Sequence, residues 1–221
     1  MDPREDEKRA AAQAVAEAVE SGMRLGLGTG STVAHFLAAV ARRELSDLTC
    51  VATSPATEQA ARALGIPVQP FDVLDRLDLA VDGADQVAPD LWLIKGGGGA
   101  HTREKVVAAS ADRFLVIVSS EKLVDALRPP VPLEVMRFGL MATLSRLRDL
   151  GPAEIRPDMP PTPDGNVIVD YLGPIGDREA LSTQLAEVVG VVDHGFYPSS
   201  MVTEVLIGRP DGRVDRLRGP G

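Results

Sequence analysis

Lys95 stands at the end of an apolar run, residues 91–94, and is followed by four glycines, Gly96, Gly97, Gly98 and Gly99, before a polar segment that carries Glu104. Each glycine loses more backbone entropy on folding than any other residue, so four in succession do not serve rigidity. They allow backbone amides to approach a ligand closely. A cation on one side of bare main chain and a carboxylate on the other mark a site for charged, polar chemistry. Asp82-Gly83-Ala84-Asp85 lies where another apolar run emerges, and in open α/β sheets ligands bind outside the carboxyl ends of the strands. Two aspartates this close raise one another's pKa unless a cation or hydrogen bonds intervene. An Asx-turn is the plainer reading of Asp82-Gly83 taken alone.

A third candidate, Gly28-Thr29-Gly30-Ser31-Thr32, joins a strand to a helix. Its glycines permit a tight turn, and the amides and dipole of the following helix favour an anion, with hydroxyl donors from Thr29, Ser31 and Thr32. An ordinary capped turn is the alternative; a phosphate or carboxylate site is favoured. The segment is not a Walker A loop, because no lysine follows the glycine, and the second strand lacks the acidic end of a dinucleotide fingerprint. Lys122 falls at the start of a further helix, where a cation is disfavoured by roughly 0.3–1 kcal/mol, so something anionic should offset it; Ser120 is the expected cap. Glu104 in a first helical turn also has a plain reading, stabilisation by the dipole. His35, His101 and His194 show no metal-ligand spacing, and Ser31 lacks a nucleophile elbow.

The elements that must hold these residues read as alternating helices and strands. Helix formers fill 5–20, with a stripe of Ala11, Val15, Ala18 and Val19. Strands are expected over 23–27, 48–52, 66–68, 77–81, 91–94 and 114–118, and helices over 33–45, 57–64, 102–111 and from Lys122 to about 127. Strands apolar on both faces between amphipathic helices imply a parallel sheet covered on both sides. Pro129-Pro130-Val131-Pro132 marks a boundary, because prolines resist helix and sheet centre alike. Beyond it come strand 133–135, helix 139–150, strands 153–155 and 166–172, helix 178–189 and a strand from 191, the β-α-β-β-α-β order of a split βαβ plait. The tail, 203–207 and 214 onward, reads as a hairpin turned by Asp211-Gly212. The expected fold is α/β: a Rossmann-like parallel-sheet domain over 1–129 plus 203–221, with a smaller α+β (split βαβ, ferredoxin-like) domain over 130–202.

The 221 residues suffice for a large and a smaller unit, and 44% apolar content with 4% aromatics gives an aliphatic core. No apolar run reaches membrane-spanning length, and residues 1–10 lack the apolar stretch of a signal peptide, so no membrane association is expected. The single cysteine, Cys50, reads as a small core residue and fits a reducing cytoplasm. A formal charge of −9 argues against nucleic-acid binding but not against a small anionic substrate held by locally concentrated cations. Only Lys8, Lys95, Lys105 and Lys122 of the 23 basic residues are lysine. A chain that uses arginine wherever any cation will do keeps lysine where a compact point charge is needed.

Taken together, Gly28-Thr29-Gly30-Ser31-Thr32, Asp82-Gly83-Ala84-Asp85, Lys95-Gly96-Gly97-Gly98 and Thr102-Arg103-Glu104-Lys105 closely resemble the type A ribose-5-phosphate isomerases, in order and spacing over nearly the whole chain. Thr53-Ser54, Ser120 to Lys122 and Pro132-Leu133-Glu134-Val135 extend the resemblance. It implies interconversion of D-ribose 5-phosphate and D-ribulose 5-phosphate through a cis-enediol(ate), no metal or organic cofactor, and a homodimer or homotetramer. It further implies Glu104 as the base moving a proton between C1 and C2, and Asp82 assisting ring opening and proton transfer at the oxygens. Lys95 with Asp85 and the amides of Gly96, Gly97 and Gly98 would stabilise the oxyanion. Thr29, Gly30, Ser31, Thr32, Gly83, Ala84, Lys122 and Lys8 would bind substrate and phosphate. Gly99, His101, Met136-Arg137-Phe138 and His194-Gly195-Phe196-Tyr197 depart from the pattern, with His101 expected to face solvent. Two other readings compete: a non-catalytic sugar-phosphate sensor, which should carry a basic DNA-binding module that no segment before residue 20 supplies, and an acyl-CoA transferase, for whose two halves the chain is short.

Overall fold

The computed structural model describes residues 3–219; residues 1–2 and 220–221, within the expected outer limits of the large domain, lie outside the described residues. Helix α1 (Pro3–Ala16) leads into strand β1 (Arg24–Leu27), α2 (Ser31–Ala41), β2 (Thr49–Ala52) and α3 (Pro55–Ala63). Next come β3 (Leu79–Asp82), the short strands β4 (Gln86–Val87) and β5 (Leu93–Ile94), α4 (His101–Ala109) and β6 (Phe114–Ser119). The second half holds β7 (Val131–Val135), α5 (Leu140–Leu150), β8 (Ala153–Ile155), β9 (Val167–Tyr171), α6 (Arg178–Glu187), β10 (Val191–His194) and β11 (Phe196–Tyr197). A hairpin of β12 (Glu204–Gly208) and β13 (Val214–Arg218) closes the described chain.

The main sheet runs β13-β12-β6-β3-β1-β2, parallel except for β13. Its strands alternate between two apolar layers. Leu25, Leu27, Leu79, Val81, Leu115, Ile117 and Leu206 meet Val15, Phe36 and Val40 of α1 and α2 on one face. Ala80, Val116, Val118, Val205 and Ile207 meet Val107 and Ala108 of α4 on the other. Helices on both faces leave ligands only the carboxyl edge of the sheet, where β1, β3 and β6 end side by side. The second sheet, β10-β7-β9-β8, is antiparallel and carries α5 and α6 on the face formed by Val131, Leu133, Val135, Val169 and Tyr171. This is the expected split βαβ order.

Several local expectations are corrected. The run 91–94 is buried, but only Leu93 and Ile94 form a strand, and it stands outside the parallel sheet: β11-β5-β4 is a separate antiparallel set. Parallel neighbours need a crossover of a dozen or more residues, and the short link from β3 to β5 folds instead as a tight reversal in which Ala88 and Trp92 share a backbone bond (2.9 Å). The expected strand 66–68 reduces to one bridge, Val68 to Cys50. The expected helix beyond Lys122 is a single 3₁₀ turn, Ser120–Lys122, because Leu123 and Val124 are drawn into extended pairing with Val87. Strand β7 begins at Val131, ahead of the expected 133, and includes Pro132, whose carbonyl accepts from Gly195 N–H at 2.7 Å. No helix of the described residues is long and apolar enough to cross a membrane.

Candidate active site

Gly28 leaves β1 against the side chain of Asp82: a Cβ there would lie 2.0 Å from Asp82 Cγ, so only glycine lets the loop pass. The next amide, Thr29 N–H, donates to Asp82 Oδ1 at 3.0 Å. Thr29 Oγ1 is held 2.8 Å from Thr53 Oγ1, at the end of the neighbouring β2. Gly30, at φ +122°, caps α2 with no side chain closing the helix end, so the first-turn amides face the cleft unopposed. Thr29 to Thr32 thus bring hydroxyls and uncapped helix-start amides to one edge of the cleft.

Lys95 occupies the centre. Its backbone N–H bonds Gly195 O (2.9 Å), fixing the end of β5 to the chain before β11, and its side chain is only 3% exposed. The ammonium lies 2.9 Å from Asp82 Oδ2 and 3.0 Å from Glu104 Oε2, and donates to Gly83 O at 2.5 Å. The face of Tyr197 covers it at 5.4 Å from the ring centroid. Burial alone would push Lys95 down, but the two carboxylates outweigh it and hold the amine above its ordinary range. Asp82 and Glu104 are both pushed up, first by burial; for Glu104 the Asp82 charge adds to the shift and Lys95 opposes it. One amine cannot fully compensate two buried carboxylates, so the triad retains a proton readily. Glu104 sits in the first turn of α4, as expected, and Gly97 N–H donates to Asp85 Oδ2 at 2.7 Å.

A cleft of about 190 Å³ gathers nearly every residue the sequence singles out. Thr29, Gly30, Ser31 and Thr32 line one wall, Gly83, Ala84 and Asp85 another, and Lys95, Gly96, Gly97, Gly98 and Glu104 a third, with Lys8 and Lys122 at the rim. Three of the chain's four lysines therefore meet at one place, in a protein of net charge −9. Asp82 does not line the cleft; it lies beneath, 3% exposed, bound to Thr29 N–H, Gly83 N–H and Lys95. Lys8 reaches the rim while paired with Glu5 at 2.7 Å. Glu121 lines the cleft too and carried no signal in the sequence.

Two expectations about side chains are overturned. His101 does not face solvent: it is 0% exposed, with Nε2 3.4 Å from Asp193 O, because β10 packs over α4. Ser120 is not a helix cap; its N–H and hydroxyl both donate to Glu7 of α1, at 2.6 and 2.7 Å, which ties α1 to the end of β6. Tyr197, whose hydroxyl donates to His101 O at 2.7 Å and whose ring covers the Lys95 ammonium, is likewise announced by no local pattern. Among the described residues no group of three or more His, Cys, Asp or Glu could hold a metal ion.

The family model of ribose 5-phosphate isomerase A (phosphoriboisomerase A) matches residues 49–212. The ribose-5-phosphate isomerase A of Caulobacter vibrioides is 46% identical, covering 95% of this chain and 97% of its own. A solved D-ribose-5-phosphate isomerase in complex with phospho-erythronic acid superposes with a TM-score of 0.90 at 37% identity, covering 97% of this chain and 99% of its own. The ribose 5-phosphate isomerase of Plasmodium falciparum gives 0.89 at 35% identity over 97% and 98%. The chain belongs to the ribose 5-phosphate isomerase A family.

Proposed function

We propose that this protein interconverts D-ribose 5-phosphate and D-ribulose 5-phosphate, the aldose–ketose step of the non-oxidative pentose phosphate pathway, by proton transfer through a cis-enediol(ate). The observation that carries the reading is the buried ammonium of Lys95 between Asp82 and Glu104, facing a cleft whose far wall is an anion-binding helix start. A proton α to a carbonyl is too weakly acidic for an exposed carboxylate, so the base must be positioned and the enediolate stabilised electrostatically. Glu104, its proton affinity raised by burial, is the base between C1 and C2. Lys95 and the amides of Gly96 and Gly98 meet the oxyanion, while Asp85 steadies the loop through the Gly97 amide. Ring opening and proton traffic at the sugar oxygens are assigned to Asp82 working with the ammonium it touches. Thr29 to Thr32, Lys122 and Lys8 hold the phosphate, and Gly83 and Ala84 shape the wall beside it.

The reading places the catalytic groups in residues 1–129 plus 203–221 and gives 130–202 to the smaller α+β domain. It takes the substrate to be a small sugar phosphate, with neither nucleic acid nor membrane as partner, in a cytoplasmic homodimer or homotetramer. Size-exclusion chromatography with light scattering reads the assembly. The chemistry needs no metal or organic cofactor. The decisive assay is ribulose 5-phosphate formation from ribose 5-phosphate in EDTA, comparing wild type with Glu104→Gln. Sustained wild-type turnover that the substitution removes supports the reading; turnover abolished by EDTA, or untouched by the substitution, contradicts it.

A further inference from the structure

Between the two sheets, one side chain reaches the glycine loop from outside the cleft. Arg156 follows β8 directly, and its backbone N–H continues the ladder to β9 by donating to Ile168 O at 2.9 Å. Its guanidinium pairs bidentately with Asp170 of β9, Nε to Oδ2 at 2.8 Å and Nη2 to Oδ1 at 2.5 Å. That fork fixes the plane of the group. The remaining nitrogen, Nη1, donates to two consecutive carbonyls of the loop, Gly96 O at 3.0 Å and Gly97 O at 3.2 Å.

In a trans peptide the carbonyl and the next N–H point in opposite directions. Holding Gly96 C=O toward Arg156 therefore turns Gly97 N–H the other way, and it is found on Asp85 Oδ2 at 2.7 Å. Holding Gly97 C=O there turns Gly98 N–H the same way. Gly98 lines the cleft, and among the described residues its N–H has no partner within the protein. A Cβ at Gly98 would meet nothing closer than Thr29 Cγ2 at 3.5 Å, so a substrate atom can come up to this amide. The loop itself supplies little stiffness: it is all glycine, with one internal turn bond, Gly99 N–H to Gly96 O at 3.1 Å.

We propose that Arg156, braced by Asp170, is a positioning residue for the isomerisation: it aims the Gly97 and Gly98 amides at Asp85 and at the oxygen on which charge develops. The proposal rests on the isomerase reading above. A donor preorganised toward the transition state contributes more to turnover than to substrate binding. Loss of the aim costs roughly 10- to 100-fold in kcat.

The test measures kcat and KM for ribose 5-phosphate, and inhibition by phospho-erythronic acid and by inorganic phosphate, for wild type, Arg156→Met, Arg156→Lys and Asp170→Asn. Arg156→Met is expected to lower kcat roughly 10- to 100-fold with KM moving less than about threefold. Inhibition by phospho-erythronic acid, whose carboxylate offers a planar anion to the same amides, weakens in parallel. Inhibition by inorganic phosphate, which reads the Thr29–Thr32 wall, stays as in wild type. Arg156→Lys keeps the charge but cannot bridge Asp170 and both carbonyls, so it recovers little; Asp170→Asn shows a smaller drop of the same pattern. Should Arg156→Met not fold, the other two variants carry the test. An unchanged kcat in the folded variants, or loss of both inhibitors in proportion to a raised KM, overturns the proposal while leaving the isomerase reading intact. An inactive wild type removes that reading instead.

Discussion

Replacing Glu104 by Gln separates catalysis from stability with one atom. The carboxylate is 5% exposed, with Oε2 3.0 Å from Lys95 Nζ, and Asp82 already lies 2.9 Å from the same ammonium. Gln keeps the shape, leaves Lys95 and Asp82 as a neutral pair, and removes the base. Loss of a positioned general base costs roughly 10²- to 10⁴-fold in kcat, about 3–5 kcal/mol of barrier. Stability should move the opposite way. Burial, with the Asp82 charge, raises the folded-state pKa of Glu104 above its ordinary 4.5. Such an acid costs nothing below pH 4.5, where both states hold the proton. As pH rises from there toward the folded value, the unfolded chain releases its proton more readily, and stability is lost at about 1.4 kcal/mol per pH unit. At pH 7 the wild type therefore carries a penalty of up to roughly 3 kcal/mol that Gln does not. Urea unfolding of both proteins at pH 5 and pH 7 reads it as a stability gain for Glu104→Gln that grows with pH. A gain that is absent, or the same at both values, would refute the argument that this carboxylate is ionised at a cost.

The same shift sets the pH profile: after correction for the substrate phosphate, kcat/KM should climb through a midpoint above 4.5, and a midpoint at or below it would show Glu104 unperturbed. Lys122→Met, at the cleft rim, should raise KM roughly 10-fold with little change in kcat and flatten the salt dependence of KM; a fall in kcat alone would move Lys122 out of phosphate binding. Tyr197→Phe removes only the bond to His101 O, a carbonyl that keeps its helical partner in the first turn of α4, so the loss should be about 0.5–1.5 kcal/mol by denaturant titration, which an unchanged midpoint would rule out.

The parts of the site that were legible in the sequence share one cause. Glycine clusters, Asp-Gly and hydroxyl-rich turns are local demands of backbone geometry, and a parallel sheet brings the ends of its strands to one edge. With β1, β3 and β6 side by side, Thr29–Thr32, Asp82 and Lys122 must converge. The scarcity of lysine pointed to the same place. What stayed hidden crosses long stretches of chain. The two-residue strand β11 pairs with β5 about a hundred positions away, and nothing in Phe196-Tyr197 foretells a ring over Lys95. His101 opens a polar segment that looks solvated; its burial depends on Asp193 and β10 arriving from the other sheet. Arg156 falls just past the expected strand 153–155 and before Pro157, where no local pattern marks it. The extra helix after Lys122 failed for a related reason: tertiary pairing of Leu123 and Val124 with Val87 overrode local propensity.

The most direct test of the central claim follows the hydrogen itself. Ribose 5-phosphate turned over by wild type in D₂O should yield ribulose 5-phosphate with deuterium at C1, seen by NMR, because a proton held on Glu104 exchanges with solvent. The rate of that incorporation should fall with kcat in Glu104→Gln. Complete retention of the original C2 hydrogen at C1, with none from solvent and no dependence on Glu104, would mean that hydrogen moves without passing through the carboxylate, and the account would be wrong at its core.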